Sequence, residues 1–158
     1  MKIFIIGAGA IGKTLAVALK LSDKDVVLVR GSVDDGSRSV EKFEVVTNDG
    51  AKLEAEIEVG TFSRLSAFDG IIVLTNKSFG NDNLARTLEP KAKNSPLVIL
   101  QNGLGVERPF IERDFSEVYR CVLFVTSQMI SPNQIRFRQV TISPIGIIKG
   151  SNANLQSV

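Results

Sequence analysis

The chain has no histidine and a single cysteine, Cys121, in 158 residues. The first absence excludes a histidine-based triad, a histidine general acid and a histidine-ligated metal. The second excludes an intramolecular disulfide and a thiolate zinc site, so no metal site is expected. Cys121 lies in the apolar run 119–125 and reads as a small buried hydrophobe. A reducing, cytoplasmic setting fits that cysteine usage. Charge of one sign is also missing: 19 basic and 17 acidic residues leave a net charge of +2. Bulk charge therefore gives no support to nucleic-acid binding. No stretch approaches the roughly 20 apolar residues that span a bilayer. The apolar start of the chain is interrupted by glycines too early for a secretory signal. Internal repeats and low-complexity blocks are absent too.

What is present is ordinary globular material, 44% hydrophobic and 23% charged. The length is that of one domain able to bury a core without staples. Lys2–Ile6 reads as a strand buried on both faces, because its apolar run does not alternate. Residues 11–21 carry Ile11, Leu15, Ala18 and Leu19 at helical spacing. Residues 25–29 form a second buried strand. Strand, helix and strand within about 30 residues predict a right-handed βαβ unit with parallel strands.

Residues 31–39 are polar and read as a loop. Residues 52–59 alternate strictly, with Leu53, Ala55, Ile57 and Val59 on one face and Lys52, Glu54, Glu56 and Glu58 on the other. With residues 43–47 they predict an antiparallel hairpin across Asn48-Asp49-Gly50. Alternation of strand and helix then resumes. Gly70–Leu74 is a buried strand, 82–93 a helix, 97–100 a strand, 106–112 a short helix and 117–125 a strand. Residues 134–138 and 140–147 are expected to be two antiparallel strands. The expected fold is α/β, a Rossmann-like doubly wound parallel sheet with an inserted antiparallel hairpin and C-terminal antiparallel strands. Residues 1–150 make up that domain, and 151–158 read as a tail or the start of a linker.

The chemistry centres on Gly7-Ala8-Gly9-Ala10-Ile11-Gly12, a G-x-G-x-x-G run. Alone the pattern is weak. Here it follows a buried strand and opens a helix inside a βαβ unit, the context that makes it a dinucleotide loop. Gly7 permits the tight turn, Gly9 lets backbone approach a pyrophosphate, and Gly12 lets helix and strand pack closely. The helix N-terminus presents free N–H groups and partial positive charge to the phosphates. A glycine-rich turn without a ligand is the plainer alternative.

The end of the second strand bears on which dinucleotide. Folds that take NAD place an acid there to accept from the ribose 2′-OH. Arg30 stands there instead, and its fork suits a 2′-phosphate. Ser32 could add a hydroxyl donor. The alternative is a solvated loop arginine, with Asp34 or Asp35 reaching the ribose. Lys77 in Thr75-Asn76-Lys77, and Asn102 in Gln101-Asn102-Gly103-Leu104-Gly105, follow consecutive strands. Ligands bind beyond such strand ends in an open α/β sheet. Each also has a bland reading, a solvated lysine and a turn asparagine.

With these residues in place, the chain resembles the N-terminal domain of ketopantoate reductases (2-dehydropantoate 2-reductases). The likeness runs through residues 2–12, Arg30, the Asn48-Asp49-Gly50 hairpin, Val73-Leu74-Thr75-Asn76-Lys77 and Gln101-Asn102-Gly103-Leu104-Gly105-Val106-Glu107. It extends into 125–138, with Pro132 and Ile135-Arg136 similar to the paired strands after the family's nicotinamide pocket. The resemblance implies reduction of 2-dehydropantoate to (R)-pantoate by NADPH, on the route to pantothenate and coenzyme A. It implies that Gly7, Ala8, Gly9, Ala10, Ile11 and Gly12 hold the pyrophosphate and Arg30 the 2′-phosphate. Lys77 and Asn102 would lie toward the nicotinamide ribose and the reacting carbonyl, with Asn102 touching substrate. The family's cofactor-touching alanine falls near Met129.

In that family a second, all-helical domain supplies the general-acid lysine, so no catalytic residue is assigned within 1–158. The chain is expected to be the nucleotide-binding part of a longer enzyme. Relatives act on other small 2-oxo acids, which leaves the substrate more open than NADP. The competing reading is a non-catalytic dinucleotide-binding or sensing module.

Overall fold

A computed structural model describes residues 1–92 and 94–151 of the chain. Its core follows from strands that are apolar on both sides. In β1 (Lys2–Ile6), Ile3 and Ile5 point to one face of the sheet and Phe4 and Ile6 to the other, all buried. The same division holds in β2 (Asp25–Arg30), with Val26 and Leu28 against Val27 and Val29. It recurs in β5 (Gly70–Leu74), with Ile71 and Val73 against Ile72 and Leu74. A strand of this kind is stable only between two covered faces.

Helix α1 (Ala10–Leu21) covers the first face through Ala16 and Val17. Helices α2 (Asn81–Leu88) and α3 (Arg108–Ile111) cover the second through Ala85, Leu88 and Phe110. No helix among the described residues is long and apolar enough to cross a membrane.

The strands form one sheet in the order β10 (Ile145–Lys149), β7 (Val118–Cys121), β6 (Leu97–Ile99), β5, β1, β2, β4 (Lys52–Thr61), β3 (Arg38–Val46), β9 (Gln134–Gln139) and β8 (Val125–Ser131). From β6 (Leu97–Ile99) and β7 (Val118–Cys121) through β5, β1 and β2 to β4 (Lys52–Thr61), neighbours run parallel. Strand β3 (Arg38–Val46) pairs antiparallel with β4 and takes the place of a crossover helix between β2 and β4. The doubly wound sheet and its inserted hairpin are therefore both present.

Boundaries differ from the expectation in instructive places. Strand β3 begins at Arg38, inside the expected loop, because Arg38 and Lys42 pair across the hairpin with Glu58 and Glu54. The expected helix 82–93 starts at Asn81 and stops at Leu88. Pro90 follows in the 3₁₀ turn Glu89–Lys91, and Lys93 lies outside the described residues. The helix expected over 106–112 shrinks to the single turn of α3.

The strand expected over 117–125 is instead two strands. β7 ends at Cys121, and β8 (Val125–Ser131) begins after a break. At the break the hydrogen bonds change partner: Val122 N–H donates to the Pro144 carbonyl, whereas the Phe124 carbonyl accepts from Val140. Strand β8 pairs antiparallel with β9 (Gln134–Gln139). The second strand expected over 140–147 appears as β10 (Ile145–Lys149), which pairs with β7 rather than β9. Of the tail 151–158, only Ser151 lies within the described residues.

β7 and β8 stand near opposite ends of the strand order, yet only residues 122–124 join them. Such a link spans at most roughly 14 Å. The sheet therefore curls, and the β8–β9 hairpin folds back over α1. Lys13 Nζ donates to the Pro132 carbonyl at 2.6 Å, and the Thr14 and Ser127 hydroxyls are 3.1 Å apart. Strand β9 then joins β3 in parallel through Glu44–Val46 and Gln134–Arg136. Helix α1 is enclosed between sheet and hairpin.

This enclosure depends on Gly12. A Cβ there would lie 2.0 Å from the Gly7 carbonyl oxygen and 2.7 Å from Thr75 Oγ1. Backbone cannot yield as a flexible side chain does, so Gly12→Ala is expected to destabilise the domain by about 1–3 kcal/mol. Urea unfolding measures this. An unchanged midpoint would mean that α1 can ride away from the β1 turn without loss.

Candidate functional site

An open cleft of about 980 Å³ lies at the carboxyl ends of β1, β2 and β5. Its floor is the turn between β1 and α1. Gly7 has φ +120°, a conformation that favours glycine, and its N–H donates to the Val29 carbonyl at 2.9 Å. From the other side, Thr75 N–H donates to the Ile6 carbonyl at 2.9 Å and Thr75 Oγ1 to the Gly7 carbonyl at 2.9 Å. The turn is thus fastened to both neighbouring strands.

Gly9 caps α1 without a side-chain hydrogen bond, and the first turn of the helix carries no acid. A Cβ at Gly9 would meet nothing within 4 Å, so that side of the loop is open. The positive end of α1 faces the cleft, and no acid stands in its own first turn.

The residues of the glycine run divide by position. Gly7, Ala8 and Gly9 line the cleft, and Gly12 lies buried beneath it. Ala10 and Ile11 belong to the first turn of α1 and are not among the lining residues.

Arg30 also lines the cleft, at the end of β2. Its side chain is half-buried. It reaches back across β4 to Glu41 of β3 and forms an ion pair with the Glu41 carboxylate. Glu41 Oε1 accepts that bond and another from the Ser39 hydroxyl at 2.7 Å. The two acids of the 31–39 loop are engaged elsewhere. Asp34 accepts the Ser63 N–H at 2.7 Å and Asp35 the Ser37 N–H at 2.9 Å. Hydrogen bonds from Ser63 and Ser37 hold both carboxyls below their ordinary range.

Lys13 is buried, with Nζ 4.8 Å from the centroid of the Phe43 ring. Burial pushes its ammonium below the usual lysine range, Glu41 opposes the shift, and Arg30 adds to it.

Beyond β5, Lys77 is exposed on the cleft wall. Asn76 Nδ2 donates to the Lys77 carbonyl at 3.0 Å, while Asn76 Oδ1 is buried without a hydrogen-bond partner. Asn102 is exposed on the loop after β6 and is not among the cleft-lining residues. Met129 lies on β8 with its side chain 41% exposed, and the hairpin lines the cleft through Pro132 and Asn133 instead.

Sequence reasoning missed Glu41, Lys13, Pro132, Asn133 and Phe79, whose ring is 95% exposed at the cleft. Glu41 falls between the expected loop 31–39 and the expected strand 43–47, and Lys13 falls inside the expected helix 11–21; no motif marks Glu41. Only the signal of a lone cation just after the third glycine could have drawn attention to Lys13.

The Asn102 loop is held from below. Asn81 Nδ2 donates to Gln101 Oε1 at 2.7 Å and to the Val106 carbonyl at 2.8 Å, and Gln101 Nε2 returns a bond to Asn81 Oδ1 at 2.9 Å. Arg120 pairs with Glu107 and donates to the Gly103 carbonyl. Both amides of the Asn81–Gln101 pair are buried. Asn81→Ala strands the Gln101 amide and should cost about 1–3 kcal/mol of stability. Thermal unfolding monitors the loss, and a variant as stable as the parent would show that water replaces the pair.

Comparison with known proteins adds the lineage. Residues 3–150 match the family model described as ketopantoate reductase PanE/ApbA. A curated 2-dehydropantoate 2-reductase of Pyrococcus horikoshii is 30% identical over 118 residues, covering 71% of this chain and 36% of that protein. The dimeric ketopantoate reductase of Staphylococcus aureus superposes with a TM-score of 0.70 at 20% identity, over 99% of this chain and 49% of that one. The 2-dehydropantoate 2-reductase of Geobacter metallireducens gives 0.70 at 21% identity, over 93% and 49%. A D-mandelate dehydrogenase solved with NADH and anilino(oxo)acetate gives 0.71 at 20% identity, over 99% and 51%. The chain spans about a third of the curated relative and about half of each solved one. The match across nearly the whole sequence, on a sheet of the same fold, shows that this chain belongs to the ketopantoate reductase PanE/ApbA family.

Proposed function

We propose that the chain is the NADPH-binding domain of an oxidoreductase that reduces a small 2-oxo acid, with 2-dehydropantoate as substrate and (R)-pantoate as product. The carrying observation is the uncapped N-terminus of α1, with Gly7 and Gly9 opening on the cleft that Arg30 and Lys77 also line. The donor set fits a nicotinamide dinucleotide. Backbone N–H groups and the helix end suit a pyrophosphate, and Arg30 suits a 2′-phosphate. The Asn76 Oδ1 at the β5 end is a buried acceptor for which the described residues supply no donor.

The reduced nicotinamide, when bound, supplies the hydride. This chain's residues bind and orient it. Gly7, Ala8 and Gly9 form the cradle, and Gly12 keeps α1 close enough for its N-terminus to act. Lys77 lies toward the nicotinamide half. Asn102 sits on the next strand end, on a loop fastened by Arg120 and the Asn81–Gln101 pair, and is assigned to the substrate edge. The hairpin completes the wall through Pro132 and Asn133, on the same hairpin as Met129, near which the family's cofactor-touching position falls. The setting assigned to the whole protein is the cytoplasm, and its product feeds pantothenate and coenzyme A synthesis.

Gly9→Val tests the cradle. The position is open, with φ −82°, so the fold should unfold at the parent's temperature. NADPH affinity, followed by coenzyme fluorescence, should fall by more than about tenfold, the loss of one or more charge-assisted bonds. Unaltered NADPH binding by this variant would reduce the glycine run to a structural turn.

Coenzyme choice supplies a separate test. NADPH should bind more tightly than NADH, by up to roughly tenfold, with a margin that narrows as salt rises. Arg30→Asp should reverse the order, because it repels the phosphate and offers the 2′-OH an acceptor. Calorimetric titration with both coenzymes decides the matter, and a variant that keeps the parent's preference would remove Arg30 from the site.

A further inference from the structure

We propose that Glu41 is a specificity-determining residue of the coenzyme site, restraining through its ion pair with Arg30 the preference for a 2′-phosphorylated coenzyme. The inference rests on the nucleotide reading of the cleft given above. It begins from an oddity of register. Arg30 is opposite Thr61 of β4, whereas Glu41 is opposite Ile57, so the two residues are two strands apart and offset along them. They meet only because the Arg30 side chain folds back over β4. Both line the cleft, and Glu41 shares its face of β3 with buried Phe43.

The Arg30 fork is therefore already bound to an anion. A 2′-phosphate, close to doubly charged near neutral pH, must share or break the Arg30–Glu41 pair. It must also approach the Glu41 carboxylate, and like charges at such range repel. A 2′-hydroxyl has neither difficulty. It can donate to a carboxylate, as it does to the acid that ends the second strand in folds that take NAD. Here that acid would come from β3. Of the loop acids, Asp34 also lines the cleft, and it and Asp35 accept backbone N–H groups at Ser63 and Ser37; Glu41 is the acid hydrogen-bonded to Arg30. Lys13 balances the cluster from below: it feels both Glu41 and Arg30, and its ammonium is tied to Pro132. Neutralising Glu41 thus leaves two cations facing the phosphate in place of a compensated set.

The test is calorimetric titration of the parent, Glu41→Gln and Glu54→Gln with NADPH and with NADH. Glutamine keeps the size of the side chain and an acceptor for Ser39 and Arg30 but removes the charge. Glu54 pairs with Lys42 across the hairpin and is not among the cleft-lining residues, so its variant removes the same unit of charge away from the site. In Glu41→Gln the NADPH-to-NADH affinity ratio should widen by roughly tenfold, the scale of one charge-assisted bond. In Glu54→Gln it should stay at the parent value. Because the ratio is taken within one protein, a general loss of folded material cancels. A Glu41→Gln ratio equal to the parent's, or an equal widening in Glu54→Gln, overturns the role of Glu41 while leaving the nucleotide site standing. A parent that binds neither coenzyme overturns the nucleotide reading, and this inference with it.

Discussion

The floor and far wall of the cleft depend on one close approach, helix α1 lying against the β1 turn with no side chain between them. A Cβ on Gly12 would stand 2.0 Å from the Gly7 carbonyl oxygen. That carbonyl in turn accepts from Thr75 Oγ1, and the Gly7 N–H donates to Val29. One contact therefore couples three parallel strands and a helix. The helix dipole acts over about a turn, so α1 must come this close for its N-terminus to serve the cleft.

The same approach explains why α1 can be enclosed. A helix standing off the sheet would leave no room for the β8–β9 hairpin to fold over it and reach β3. With α1 seated, Lys13 and Thr14 on its outer side meet Pro132 and Ser127, and the hairpin tip becomes a wall of the cleft. Burying the Lys13 ammonium is unfavourable in itself. The Pro132 carbonyl, the Phe43 ring and the field of Glu41 offset that penalty. The hairpin thus links packing to electrostatics at the mouth of the site.

The cleft combines two kinds of recognition. Its floor is backbone, rigid and fastened by hydrogen bonds to β2 and β5, which suits a group shared by every dinucleotide. Its far wall is a charge cluster of Lys13, Arg30 and Glu41, drawn from three separate elements. Those side chains can exchange partners without disturbing the floor. On the proposed reading, selectivity among dinucleotides can therefore vary while the cradle stays the same. The loop carrying Asn102 is independent of both, held by buried amides and the Arg120–Glu107 pair on the β6–β7 side.

The features readable in the amino-acid sequence were those whose cause is local. A two-sided apolar run such as Lys2–Ile6 has few other destinations than the middle of a sheet. Strict alternation in 52–59 around a glycine-containing turn makes a hairpin by period alone. Glycines at 7, 9 and 12 after a strand mark the loop by their spacing, although Val29 and Thr75 fasten it in the fold. The C-terminal third was less legible, since whether Cys121 and Val125 share a strand depends on which partner takes each of them. Val122 turns to Pro144 and Phe124 to Val140, and no pattern inside 117–125 records that. Arg30 shows the limit most clearly. Its identity and its place at the end of β2 are written in the chain. Its ion pair with Glu41 is not, because Glu41 lies two strands away and meets it only once β4 has been inserted between β2 and β3.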